Sequence, residues 1–342
     1  MQTDMVTNND PNFPTLPVKT KRRQNAPDVI VCLADDEVPL HLIQHAQAVA
    51  MSLGGKVNLV RVMEPPEGHR IPFDPIEWEI NRQEVRAALE RLAKKLGNQD
   101  QVIETNVLEG NSVDEIYGCV SKRPQDIIAI FRQAGVRGKG FGSLGGFIES
   151  KVGSIFMIPE DLPLQKAEHY TKVLVPLDGS SRAETAVPKA IRIAKANKAE
   201  LVLCHVTPHA GLTQIAPVDT EALKISRQVE QHNKRVANEY LRRIESQVGV
   251  CGIPTSSCVV AGEDVRRALT REIEHQGVGL VVLSSHGQSG HTDAAVGDIA
   301  SFILGRCPVP EVMIRQAGTY GSRQIFSGTL STGVRSPAIG AQ

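Results

Sequence analysis

The chain has few of the features that mark membrane, secreted or nucleic-acid-binding proteins. Aromatic residues make up only 4% of the 342 residues, and Lys+Arg and Asp+Glu both number 38, so the net charge is zero. Surfaces that bind nucleic acid or anionic membranes need excess positive charge, which argues against both partners. No apolar run approaches the ~20 residues that span a bilayer, and the first 25 residues have no apolar segment typical of a signal peptide. We therefore expect a soluble, cytoplasmic protein.

The cysteines follow neither a metal-binding nor a disulfide pattern. No CxxC pair is present, and the six cysteines are scattered instead of forming a dense framework in a short chain. This distribution predicts free thiols in a reducing cytoplasm. They are Cys32, Cys119, Cys204, Cys251, Cys258 and Cys307.

A repeated glycine-rich segment divides the chain into two similar halves. Three pairs of residues share one constant offset: Gly135 with Gly290, Gly142 with Gly297, and Phe147 with Phe302. A repeat at half the chain length indicates two copies of one domain. We place these domains at residues 27–160 and 171–316, with a linker at 161–170. The polar segments 1–26 and 317–342 are expected to be disordered tails.

Short apolar strands alternate with helices in both halves, including a predicted helix at 182–198. Continuous apolar character in short strands is typical of parallel strands that are covered on both faces. The sequence therefore predicts an α/β protein with two tandem, doubly wound domains of five parallel strands each. Ligands of such sheets bind beyond the carboxyl ends of the strands. Asp35, Asp178 and both glycine-rich loops lie at predicted carboxyl ends.

Three motifs of the second half resemble the universal stress protein family. They are Val175-Pro-Leu-Asp178, Leu203-Cys-His-Val206 and Leu283-Ser-Ser-His-Gly287, each at the end of a predicted strand. The resemblance covers residues 171–315 well and 27–159 more faintly. It implies a HUP-type fold like that of the adenine nucleotide alpha hydrolases. It also implies a non-enzymatic stress-response regulator that binds ATP or AMP.

The resemblance assigns nucleotide binding to residues at these strand ends. Asp178 and the backbone of Val206 would hold the adenosine portion, and a loop of the pattern Gly-x2-Gly-x9-Gly-Ser/Thr would hold the phosphates. Glycines let backbone amides approach phosphate oxygens, and the following helix presents its positive N-terminal end. The full set implied is Pro176, Asp178, Val206, Ser284, His286, Gly287, Gly290, Gly297 and Asp298.

The sequence departs from the loop pattern in both halves. Ser284 replaces the opening glycine of the second loop, and Asp298 stands where the family has Ser or Thr. A carboxylate would repel a phosphate a few ångströms away by about 1–4 kcal/mol. Asp298 would instead cap the next helix, or a Mg²⁺ ion would bridge it to the phosphate. In the first loop, Arg132 replaces a glycine and would either clash with a ligand or pair with its phosphates.

Other polar residues near the second loop have simpler roles. Four histidines follow the second and fourth strands of this half: His205, His209, His286 and His291. His286 belongs to a Ser-His-Gly pattern that is structural in the family, and we expect no metal at this position. Ser180 and Ser181 are expected to cap the helix that follows them.

The last strands predict how the two halves associate. Residues 155–158 and 312–314 are apolar edges of the kind that aggregate unless they are covered. Family domains pair edge to edge through this strand, which implies that the halves form an intramolecular pseudo-dimer. Pro310 and Glu311 are expected to interrupt the second edge and shorten the pairing. A homodimer through other surfaces is left open.

Three functions from different classes are compatible with the sequence. The first is a nucleotide-binding regulator with one site, in the second half, because the first half keeps only Asp35, Val62 and Gly142-Ser143 of the pattern. The second is an interaction module in which both nucleotide sites have decayed. The third is a slow ATP-hydrolysing enzyme on the same fold, although the sequence contains no obvious general base.

Overall fold

The structure is a computed structural model, and it describes nine segments of the chain. They are residues 26–33, 40–64, 74–97, 103–132, 153–162, 170–208, 220–262, 264–287 and 296–315.

The helices and strands alternate along both halves of the chain. The first half contains β1 (Val29–Cys32), α1 (Leu40–Ser52), β2 (Val57–Met63), α2 (Pro75–Leu96), β3 (Ile103–Glu109), α3 (Ser112–Lys122), β4 (Ile127–Arg132) and β5 (Ser154–Pro159). The second half contains β6 (Lys172–Pro176), α4 (Ser181–Glu184), α5 (Val187–Asn197), β7 (Glu200–Pro208), α6 (Thr220–Gly249), β8 (Thr255–Gly262), α7 (Val265–His275), β9 (Leu280–Ser284), α8 (Asp298–Arg306) and β10 (Glu311–Ile314).

All ten strands form one sheet in the order β3-β2-β1-β4-β5-β10-β9-β6-β7-β8. Each half is internally parallel and has the same strand order, read outward from the middle of the sheet. This arrangement confirms the predicted doubly wound α/β fold. The central strands β4 and β5 are apolar and largely buried, whereas the edge strands β3 and β8 are only partly buried.

The two halves meet where β5 and β10 pair in the antiparallel sense. Glu311 lies opposite Met157 in this register, and Val312 lies opposite Phe156. The expectation that Glu311 interrupts this edge was wrong, because Glu311 is the first residue of β10 and is fully buried. Both faces of the sheet carry an apolar core that draws residues from each half. The halves therefore share a continuous interior as well as a sheet.

The helix predicted at 182–198 is broken into α4 and α5. Ser180 is the N-cap of α4, and its hydroxyl accepts a hydrogen bond from the amide of Ala183 at 3.1 Å. Pro188 lies in the first turn of α5. Because proline has no amide hydrogen, it cannot donate to the carbonyl four residues earlier, and the helix is interrupted there.

Arg132 reaches from β4 into the second half. Its Nη1 donates to the carbonyl of Leu304 at 2.7 Å and lies 3.4 Å from Oε1 of Glu311, while Nη2 donates to the carbonyl of Cys307. Burial raises the pKa of Glu311 well above its usual range, and Arg132 opposes that shift. Both sequence interpretations of Arg132, a clash with nucleotide or an ion pair with its phosphates, are therefore wrong. Its guanidinium joins the two halves.

A second set of polar contacts joins α1 to the second half of the chain. Asn197 donates to the hydroxyl of Ser52 at 3.0 Å, and His45 Nδ1 shares a hydrogen bond of 3.0 Å with the hydroxyl of Tyr170. His45 and Tyr170 are both buried. Burial, together with the nearby His41, lowers the pKa of His45 to about 4.

Replacing Arg132 with methionine should destabilise the protein by about 3 kcal/mol, because Glu311 would lose its partner inside the core. Changing Glu311 to leucine in the same molecule should recover part of this loss, since the buried carboxylate is then removed as well. Urea unfolding of the wild type, both single variants and the double variant gives the coupling between the residues. Simple addition of the two single effects would show that the residues act independently.

The shifted pKa of His45 predicts a stability that depends on pH. The unfolded state has the usual His pKa of about 6.5, so it binds the proton more readily than the folded state does. The free energy of unfolding should therefore fall as pH decreases from about 6.5 towards 4, by up to about 3 kcal/mol from this residue. His45→Gln should reduce this pH dependence, whereas the exposed control His275→Gln should not. Identical urea-unfolding profiles for the wild type and His45→Gln would contradict the assignment.

Candidate functional site

A cavity of about 160 Å³ lies at the carboxyl ends of β6, β7 and β9 and against the start of α8. Eight of the nine residues proposed from the sequence line it: Pro176, Asp178, Val206, Ser284, His286, Gly287, Gly297 and Asp298. The ninth, Gly290, lies outside the described residues. The strand topology explains this convergence, because β6 and β9 are neighbours and all three strands end at the same edge of the sheet.

Asp178 and Gly287 contact each other in the lining of this cavity. Asp178 follows β6, and its Oδ1 accepts a hydrogen bond from the amide of Ser180 at 2.9 Å, which holds the carboxylate in the turn before α4. A Cβ atom at Gly287 would lie only 2.0 Å from Oδ2 of Asp178. The carboxylate therefore packs directly on the backbone of Gly287, and no larger residue fits there without displacement.

The two described ends of the second glycine-rich loop are joined to each other and to the sheet. The amide of Gly297 donates to the carbonyl of Ser285 at 2.8 Å, and the amide of Ser285 donates to the carbonyl of Ile314 at 2.9 Å. The hydroxyl of Ser285 also shares a 3.0 Å hydrogen bond with Nδ1 of His286. His286 therefore makes a structural hydrogen bond and also lines the cavity.

Asp298 is the first residue of α8, and Gly297 is the N-cap without a side-chain hydrogen bond. The prediction that Asp298 caps this helix was therefore wrong, since the helix begins one residue earlier than expected. Its carboxylate still lies in the first turn, where the helix dipole favours negative charge. Arg266 interacts electrostatically with Asp298. Hydrogen bonds to Asp264 raise the pKa of Arg266, and the negative charge of Asp298 raises it further.

The apolar part of the cavity was not foreseen from the sequence. Val265 and Leu269 lie one turn apart on α7 and face the cavity, as does Cys204 on β7. The signal for the two helical residues was their spacing of four, which sets them on one face of a helix. Together they give the cavity an apolar wall beside its polar lining residues.

The predicted histidine cluster is only partly described. Nδ1 of His205 is 2.7 Å from the carbonyl of Leu177, and its ring meets that of Tyr240 edge to face at 6.4 Å. His209 and His291 lie outside the described residues. Within the described segments, no group of three or more His, Cys, Asp or Glu side chains is arranged to hold a metal ion. None of the described helices is long and apolar enough to cross a membrane.

The first half has a different cavity at the corresponding edge. A space of about 400 Å³ lies between the ends of β1 and β2 and the helices α2 and α3. Val62 and Trp78 line it, and the carboxylate of Glu64 accepts the amide of Ser112 at 2.9 Å beside it. Asp35 and Gly142-Ser143 are outside the described residues, and Arg132 is not among the residues that line this space. Val62 is thus the one residue of the first-half pattern that the described segments place at this cavity.

Comparisons of sequence agree with the motifs of the second half. The family model for the Universal stress protein family matches residues 169–315. Universal stress protein YxiE of Bacillus subtilis is 27% identical over 147 residues, which cover 41% of this chain and 97% of that protein. A universal stress protein of Mycobacterium tuberculosis is 25% identical over 177 residues, which cover 52% of this chain and 56% of that protein. The chain therefore matches about half the length of this mycobacterial relative.

Comparisons of structure extend the likeness to both halves. The crystal structure of a universal stress protein from Archaeoglobus fulgidus aligns with a TM-score of 0.57 at 17% identity, covering 85% of this chain and 97% of that one. A functionally unknown protein from Pseudomonas aeruginosa aligns with a TM-score of 0.58 at 15% identity, covering 85% and 93%. At these identities the likeness establishes the tandem α/β fold and nothing further.

The contact between Asp178 and Gly287 leads to a prediction about stability. Gly287→Ala should cost about 1–3 kcal/mol, because the added methyl group would overlap the Asp178 carboxylate. The same substitution made together with Asp178→Ala should cost much less, since the carboxylate is then gone. Gly305→Ala is a matched control in α8, where no atom lies near the added group and alanine favours the helix. Equal costs of Gly287→Ala in both backgrounds, measured by urea unfolding, would contradict the contact.

Proposed function

We propose that this chain, whose residues 169–315 match the family model of the universal stress proteins, is a non-enzymatic regulator that binds one adenine nucleotide in its second half. The observation that carries the proposal is the single cavity that gathers Asp178, Val206, Gly287 and Gly297. These residues are separated along the chain, and three strands bring them to one edge of the sheet.

The cavity suits the adenosine portion of a nucleotide in two respects. Its apolar wall, which includes Val265 and Leu269, offers contacts to a flat base. Asp178 in the lining has carboxylate oxygens that accept hydrogen bonds from ribose hydroxyls or exocyclic amines. A hydrogen bond to a charged group of this kind contributes about 1.5–3 kcal/mol.

The phosphate end is less favourable than the adenosine end. The backbone around Gly297 and the N-terminal end of α8 favour an anion, but Asp298 brings a negative charge to the same place. Arg266 offsets part of that charge at the helix surface. We therefore propose that the site prefers AMP, or takes ATP with a Mg²⁺ ion between Asp298 and the phosphates.

Asp298 also supports the second candidate function, an interaction module whose nucleotide sites have decayed. The two functions differ in one measurable property, the response of stability to nucleotide. A ligand at a hundredfold excess over its Kd stabilises the folded protein by about 2.7 kcal/mol, which a thermal melt detects readily. No change in melting temperature with AMP, ATP or ATP plus Mg²⁺ would favour the decayed module.

The nucleotide proposal predicts specific effects of substitution at both ends of the site. Calorimetric titration should give one nucleotide per chain. Asp178→Ala should abolish binding, whereas Asp35→Ala in the first half should leave it unchanged. Asp298→Ser should strengthen binding of ATP more than that of adenosine, because it removes a repulsion of about 1–4 kcal/mol from the phosphates alone.

Three results would count against this assignment. Two nucleotides per chain, or loss of binding through Asp35→Ala, would place a working site in the first half. Equal effects of Asp298→Ser on ATP and adenosine would separate Asp298 from the phosphates. Release of phosphate from ATP that disappears in Asp178→Ala, and persists in the surface variant Arg242→Glu, would identify a slow hydrolase instead of a regulator.

A further inference from the structure

A groove of about 850 Å³ lies on the outer side of α7 and α8, away from the candidate nucleotide cavity. Arg267 and Arg271 line it from α7, and Arg306 and Phe302 line it from α8. It begins at the carboxyl end of β8, which is an edge strand of the sheet. The groove is therefore open at one end of the molecule.

Two guanidinium groups stack on one aromatic ring in this groove. The Cζ atoms of Arg266 and Arg306 lie 5.4 and 4.9 Å from the ring centre of Phe302. Arg266 is also held by Asp264, with its Nε 3.2 Å from Oδ1 and its Nη2 3.2 Å from Oδ2. Such contacts restrict long side chains before any ligand arrives, which lowers the entropy lost on binding.

Among the described residues that line the groove, Asp264 is the one acidic residue, and it is paired with Arg266. Arg267, Arg271 and Arg306 are exposed, and within the described residues none of them forms an ion pair. The protein as a whole has no net charge, so this concentration of arginine is local. Arginine also offers paired N–H donors that match a carboxylate in a bidentate geometry, which lysine does not.

The first half provides an internal comparison for this surface. The helices α3 and α7 begin after the N-cap residues Asn111 and Asp264, so their positions correspond. At the positions of Arg267 and Arg271, α3 has Asp114 and Gly118. A shared fold therefore does not require arginine on this face, and the described helix α3 has no counterpart of Arg267 and Arg271.

We propose that this groove docks an acidic segment of a partner protein, with carboxylates on Arg267, Arg271 and Arg306 and an apolar side chain against Phe302. The charges of the chain's own ends do not fit this groove. Residues 316–342 contain no Asp or Glu, and in residues 1–25 four Lys and Arg residues outnumber Asp4 and Asp10. Because Val265 and Leu269 line the nucleotide cavity from the opposite side of α7, the docking surface and that cavity share one helix. The docked segment and the nucleotide occupy separate surfaces.

The test uses the full-length protein and a fluorescein-labelled peptide rich in glutamate with one central leucine. Fluorescence anisotropy should show saturable binding that weakens as salt increases, since the contacts lie at the surface. The charge reversal Arg267→Glu with Arg271→Glu should weaken binding by at least about tenfold. Arg271→Lys should lose part of the affinity although the charge is kept. Arg242→Glu, an exposed arginine on α6, is the matched control and should have no effect.

Three outcomes would overturn the proposal. They are an absence of saturable binding up to about 1 mM peptide, an equal loss of affinity in the Arg242→Glu control, and preferential binding of a labelled single-stranded oligonucleotide through the same arginines. Asp178→Ala should bind the peptide normally, so the result does not depend on the nucleotide. Thermal melts establish that each variant is folded. If the double variant Arg267→Glu with Arg271→Glu is unfolded, Arg306→Gln replaces it and should also lose affinity for the peptide.

Discussion

The antiparallel pairing of β5 with β10 joins the two halves of the molecule, and the shared core depends on it. An edge strand exposes unpaired amides and carbonyls, and in this protein each half covers the edge of the other. The contact also makes the two apolar cores continuous on both faces of the sheet. Each half thus completes the interior of its neighbour, and the fold has two copies of one architecture but one shared core.

The buried charges at this join have a role that apolar residues would not provide. Short apolar strands tolerate a shift by two residues, because the same faces remain buried. In the observed register Glu311 lies within reach of Arg132, and a shifted strand would place its carboxyl group among apolar neighbours without that partner. Such a mismatch is costly in a dry interior. The ion pair therefore favours one alignment of the halves.

The sequence predicted the elements of the α/β fold well because strong local patterns specify them. Apolar runs bounded by glycine or polar residues identified the strands, and the repeat identified the two halves. The predicted site residues converged because three strand ends meet at one edge. What failed depended on long-range contacts: nothing near Arg132 in the sequence indicates Leu304 or Cys307 as its partners. The break before α5 was missed, although Pro188 was a local signal for it.

The antiparallel join also fixes where the two halves present their strand ends. Since the strands within each half are parallel and β5 runs opposite to β10, the carboxyl edges of the halves lie on opposite rims of the sheet. The cavity beside Trp78 and the cavity beside Asp178 therefore open in opposite directions. A single small molecule cannot bridge them. If the protein is attached to a solid support through one rim, the other rim remains available to solution.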